Sequence, residues 1–188
     1  MSVGATVVVA EYDPRWPERY QHERERILHA IGEYIVAIEH IGSTAVPGLG
    51  AKPIIDIMVA VRSLARDVPS CVEPLGRLGY EYVPRPDFED SVFFSHGVWG
   101  PSTRHLHLTE YGSAFWNEKL LFRDYLRRHT ETAAEYYSLK CSLATQHAAN
   151  RLAYTDAKSS FIHAIVNRAR SAAPAIGVVA HTERRLHR

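Results

Sequence analysis

The stretch Pro53 to Val61, PIIDIMVAV, constrains this chain most: it is apolar throughout except for one central carboxylate, Asp56. Side chains alternate along a strand. Ile55, Ile57, Val59 and Val61 therefore make an all-aliphatic face fit for a core, and Ile54, Asp56, Met58 and Ala60 share the other. A buried, unpaired carboxylate costs several kcal/mol, so Asp56 must meet water, a cation or a network of donors. The backbone and the neighbouring Lys52 could supply those donors, and so could a bound ligand.

The flanks give the organisation. Thr6 to Ala10 reads as a first strand, and Asp13-Pro14 opens a helix with Asp as cap and Pro in the first turn. Trp16, Tyr20, Ile27 and Ile31 give that helix an apolar side, RYQHERER gives it a solvated one, and Gly32 ends it. A second strand spans Tyr34 to Ile41, and GSTAVPGLGAKP after it is too rich in Gly and Pro to be regular. A helix over residues 66–78 closes at Gly79, and strands follow at 80–83, 91–96 and 104–109. From Ser113 the periodicity is helical, in three segments over 113–129, 130–149 and 155–171. Strands interleaved with helices and then a helical run predict an α+β fold: a mixed β-sheet covered by helices, with a C-terminal helical half. The expected division is a single domain over 1–170, sheet-rich to 110 and helical over 113–170, with 171–188 as a flexible basic tail.

Composition narrows the function classes. The chain has 188 residues, 46% hydrophobic and 23% charged, with a formal net charge of +1. That near-neutral balance argues against a basic nucleic-acid coat, and no aromatic-basic interleaving supports such a partner. Cys71 and Cys141 are too few for a disulfide scaffold and match no zinc-ribbon or redox spacing. No segment reads as a signal peptide or membrane span, so a soluble cytoplasmic protein is expected. There is neither GxGxxG nor GxxxxGK[ST], which leaves dinucleotide and P-loop readings without support. The aromatics Phe115, Trp116, Phe122, Tyr125, Tyr136 and Tyr137 suit either a homodimer surface or a core.

The residues with chemistry cluster in HIGSTAVPG (40–48), KPIIDIM (52–58) and RHLHL (104–108). On the last strand His105 and His107 lie side by side, opposite Leu106 and Leu108. A His-x-His pair on a strand suits zinc, manganese or iron-type ions, and equally suits polar residues on a wet face. His96 and the acidic run DFED (87–90) could rim a cleft there.

HIGSTAVPGL followed by KPIIDI, with EYDPRW before and HLHL, FRDYLRRH, Tyr154 and Lys158 after, resembles the GrpB family of the nucleotidyltransferase superfamily, which also occurs fused to dephospho-CoA kinase. The resemblance implies phosphoryl transfer. Gly42, Ser43 and Thr44 would cradle phosphates at a helix start, and strand carboxylates would hold a divalent ion (Mg, Mn or Zn). It implies an NTP as co-substrate and a small-molecule acceptor. The expected metal set is Asp56, His105, His107 and His40, with Asp56, His105 and His107 as catalytic residues. Lys52, Arg123, Lys140 and Lys158 would neutralise phosphate charge, with Lys119 one turn before Arg123. The chain departs from the superfamily at Met58, where a second carboxylate belongs and where a thioether is a poor ligand for a hard cation. Transfer of an NMP group is the leading expectation. A degenerate binding module that supports a partner enzyme, and a metal-dependent hydrolase using the His pair, are the alternatives.

Overall fold

The computed structural model describes residues 8–85, 89–97 and 103–172. Five strands form one mixed sheet: β1 (Ala37–Ile41), β2 (Ile55–Val61), β3 (Tyr80–Val83), β4 (Ser91–His96) and β5 (Arg104–Glu110). Their spatial order is β1-β2-β5-β4-β3. Only the β2–β5 pairing is parallel; β1–β2, β5–β4 and β4–β3 are antiparallel. Of the expected first strand, residues 6 and 7 lie outside the described residues, and Ala10 contributes one antiparallel bridge to Ala51.

The aliphatic face of β2 is the main core. Ile57, Val59 and Val61 are fully buried with Leu106 and Leu108 of β5 and Phe94 of β4. Two helices cover this face, α1 (Trp16–Ile31) and α2 (Leu64–Arg77). From α1 come Trp16, Tyr20, Ile27 and Ile31, the four residues of the expected apolar stripe. The helix opens later than Asp13-Pro14, with Pro17 in its first turn and Arg15 as an N-cap without a side-chain cap bond. Its charged run is not wholly solvated, because Glu23 is completely buried. The Glu23 carboxylate meets Arg26 at 2.8 Å and Arg104 at 3.0 Å, and the Tyr80 hydroxyl donates to it at 3.1 Å. Arg26 is on the same helix, but Arg104 and Tyr80 arrive from β5 and β3, and their contacts do not show in the helix's own pattern.

The opposite face carries Glu39 and Ile41 of β1, Asp56, Met58 and Ala60 of β2, His105 and His107 of β5, and Phe93 of β4, as the strand register requires. The helical half follows: α3 (Ala114–Arg128), α4 (Thr130–Gln146), α5 (Arg151–Asp156) and α6 (Ser159–Ala172). The last expected helix, 155–171, starts later as α6, and the short α5 before it was not expected as a separate element. The Ser113 hydroxyl caps α3 by accepting from the Trp116 amide at 3.1 Å. Trp116 then packs with Ile41, Met58 and Ala60, closing one end of this face. Phe122 and Tyr136 meet edge to face inside a second core with Val46, Leu49 and Leu126, so these aromatics are used internally. Among the described residues, no helix is long and apolar enough to cross a membrane. Residues 173–188, most of the expected tail, lie outside the described ones.

Met58 is fully buried in this apolar seam. Met58→Asp is expected to cost about 3–5 kcal/mol at neutral pH, the cost of an uncompensated buried charge. Met58→Leu, which conserves volume, should cost less than about 1.5 kcal/mol. Urea denaturation of both variants checks the difference.

Candidate functional site

Parallel pairing places Asp56 directly beside His105, and Met58 beside His107. The His105 Nδ1 lies 2.9 Å from Asp56 Oδ1. Asp56 feels desolvation, which raises its pKa, but the His105 hydrogen bond and the nearby imidazoles outweigh it and hold the carboxyl below its ordinary value. An ionised carboxylate has no hydrogen to give, so Nδ1 is the donor, and in a neutral ring so held Nε2 is the nitrogen without a hydrogen. His107 differs from its neighbour. It packs against Phe93 at 5.0 Å and Phe115 at 5.5 Å between ring centroids. Desolvation pushes its pKa down to about 3, against the pull of Asp56 and with the push of Lys119.

The connector after β1 forms one tight 3₁₀ turn, Ser43–Ala45, rather than the start of a longer helix. Gly42 adopts φ +71°, and a Cβ there would collide with Asp56 Oδ2. Only glycine combines that conformation with that approach. The amides of Ala45 and Val46 bond back to the carbonyls of Gly42 and Ser43 at 3.2 and 3.1 Å, so these two are spent within the turn. Thr44, expected to touch phosphate, is buried and faces inward. Its hydroxyl donates to the Ile54 carbonyl at 3.2 Å and accepts from His40 Nε2 at 3.0 Å. The Ser43 side chain bonds to the phenol of Tyr136 on α4.

Two further expectations are corrected by the register. His40 pairs with Ile57 rather than with Asp56, so it stands on the α1 face and stacks on Tyr20 at 4.6 Å. It cannot join a ligand set on the other side of the sheet. His96 likewise falls on the α1–α2 face, against Tyr80, and does not rim the cleft. Of the acidic run, Asp87 lies outside the described residues. Among the described residues no group of three or more His, Cys, Asp or Glu side chains is arranged to hold a metal ion. Met58 is sealed in hydrophobic contacts, and one oxygen of Asp56 is taken by His105. The side chains present do not fit the protein-held divalent ion that the superfamily implies.

The cations sort into two kinds. Arg123 is 7% exposed and fully engaged: Nη1 donates to Glu39 at 2.6 Å and to the His40 carbonyl at 2.9 Å, and Nε to Asp124 at 2.7 Å. It joins α3 to β1 rather than to a ligand. Lys140 is 3% exposed and donates to the Gly50 carbonyl; burial, then repulsion from Lys158, pushes its pKa down to about 7. Lys119 and Lys158 instead share the field of Asp56 and repel each other. Desolvation lowers both, Lys158 to about 8, with Asp56 opposing. Lys158 and Lys52 each place an ammonium over the buried Tyr154 ring, 4.2 and 4.1 Å from its centroid. His105, Lys119 and Lys158 thus interact with Asp56 on the sheet face that the helical half covers, and Lys52 joins Lys158 on the Tyr154 ring. Arg85, over Phe93 at 3.8 Å, and Phe93 itself, edge-on to His105 at 5.1 Å, form a wall that no sequence motif marked.

A family model for the GrpB protein matches residues 6–168. The chain belongs to the GrpB family. It is 39% identical over 168 residues to a UPF0157 protein of Halalkalibacterium halodurans, covering 88% of this chain and 83% of that one. A dephospho-CoA kinase of Mycolicibacterium paratuberculosis is 30% identical over 162 residues, 73% of this chain but 40% of that protein. The crystal structure of conserved protein GrpB from Enterococcus faecalis superposes with a TM-score of 0.79 at 33% identity, covering 87% of this chain and 98% of that one. The GLD-2/RNP-8 complex gives a TM-score of 0.53 at 13% identity over 82% of this chain and 60% of that one, a likeness of fold alone. The fold is nucleotidyltransferase-like.

Two desolvated imidazoles, the buried His40 and the half-buried His107, set a pH dependence. Burial holds His40 down to about 4 and His107 down to about 3, so the unfolded chain binds more protons than the folded one below about pH 6.5. Stability is therefore expected to fall as pH drops from about 6.5 to about 5, by up to about 1.4 kcal/mol per pH unit for each ring. Urea midpoints across that window, with His107→Gln removing one ring's share of the slope, test this.

Proposed function

We propose that the cleft binds the phosphate chain of a nucleoside triphosphate, and that the chain transfers the nucleotidyl group to a small-molecule acceptor. The observation that supports this is local charge: Lys119 and Lys158 both feel the Asp56 carboxylate, and Lys52 joins Lys158 on the Tyr154 ring at 4.1 and 4.2 Å. Cations held close in a partly desolvated cleft repel one another, and a polyanion relieves that repulsion. Metal ions offset phosphate charge in other nucleotide sites; the lysines near Asp56 would do so here.

A second reading is a nucleotide-binding module that serves a partner enzyme. It is favoured by Met58 and by the similarity to one part of a dephospho-CoA kinase.

Thermal-shift titrations with each NTP, with and without divalent ions, are expected to show stabilisation that persists in chelator. Lys158→Ala should weaken that binding about 10–100-fold, the loss of one charge-assisted bond, and Arg123→Lys should leave it nearly unchanged in any variant that stays folded. Absence of a shift with all four nucleotides, under both conditions, would sink the reading.

A further inference from the structure

The family resemblance implies a carboxylate-held metal, and this face is not built for one. Met58 is fully buried with Ile41 and Trp116, His107 is wedged between Phe93 and Phe115, and Asp56 is the one carboxylate of β2. What the same face does provide is an oriented nitrogen. His105 is held at Nδ1 by Asp56, its ring is edge-on to Phe93, and a quarter of its side chain is exposed. Nε2 lies on the far side of the ring from Nδ1, so it is directed away from Asp56. The neighbouring histidine has no such partner, which separates the roles of two residues that look alike in sequence.

We propose that His105 Nε2 is the nucleophile of a covalent nucleotidyl-enzyme step; this rests on the nucleotide reading above. A neutral imidazole attacks with a lone pair it already has, so no proton need be removed and no metal is needed to make it reactive. The Nε2–Pα bond forms as the bond from Pα to the bridging oxygen breaks, and the electron pair leaves with pyrophosphate. The ring becomes cationic, and the Nδ1–H···Asp56 bond stabilises it, as a carboxylate does for an imidazolium. Lys119 and Lys158, which share the field of Asp56, would offset the departing charge. An acceptor hydroxyl oxygen then attacks Pα, its proton passes to water, and the N–P electron pair returns to Nε2. Asp56 is a positioning residue in this step; His105 is the catalytic one.

The test uses the full chain and each of the four NTPs labelled at the α-phosphate, in Mg²⁺ and in chelator, with inorganic pyrophosphatase present. The expected result is a protein-bound label, stable to alkali and lost in acid, that maps to His105 with one equivalent of pyrophosphate released. His105→Gln should abolish the label while retaining the NTP-induced melting shift. In Asp56→Asn the maximal labelling rate should fall about 10–100-fold, while the NTP concentration for half-maximal labelling changes less than about twofold. A merely structural role would move both together. Label that persists in His105→Gln, or maps to Ser43 or Lys158, overturns the assignment. So does binding of NTPs with no covalent label under either condition. If no NTP shifts the melting point, the nucleotide reading falls and this step falls with it.

Discussion

Everything in the cleft depends on the parallel ladder between β2 and β5. Because these strands run together in register, Asp56 meets His105 across one rung and Met58 meets His107 across the next but one. The odd and even residues of both strands then divide two environments. Leu106 and Leu108 complete an aliphatic layer with Ile57 and Val59 beneath α1 and α2, and the polar set is delivered to the side that the helical half covers. A single-residue slip would exchange those sets and bury the imidazoles in the aliphatic core, so packing on one face enforces chemistry on the other.

That coupling explains the unequal fates of the two histidines. Both stand on the same face of one strand, but β4 and α3 supply aromatic walls around His107, whereas His105 has a carboxylate beside it. Desolvation dominates one and hydrogen bonding orients the other. The cations divide by the same rule. Arg123 and Lys140 are used up by carboxylates and a backbone carbonyl within the protein, and they tie the helical half to β1 and to the Gly50 region. Lys119 and Lys158 instead sit over the rings of Phe115 and Tyr154 and feel the pull of Asp56.

Much of this was legible before any coordinates. The aliphatic alternation of residues 55–61, the stripe of α1 and the switch to helical periodicity at Ser113 each report local physics, and they fixed the mixed sheet with its helical half. The pairing of Asp56 with His105 could be anticipated from face-sharing and the family resemblance together. Partner-dependent facts could not. His40 opens the HIGSTAVPG motif and is expected in the metal set, yet the antiparallel register with β2 sends it to the other face. Thr44 read as an anion donor, but its hydroxyl is consumed by Ile54 and His40. Glu23 sat in a run that looked solvated, and only tertiary contacts with Arg104 and Tyr80 reveal its burial. Arg85 and Phe93 belong to no motif at all.

Tyr154 carries a consequence for how the molecule would fail. The ring that seats Lys52 and Lys158 belongs to α5, a six-residue segment whose Leu152 is 73% exposed. The sheet owes its cohesion to α1 and α2, on the other side. Fraying that begins at the C-terminal helices would therefore scatter the positive charge while the strands remain paired. Competence would vanish well below the temperature at which the barrier to global melting is crossed, and a purified sample could look folded by circular dichroism yet be inert.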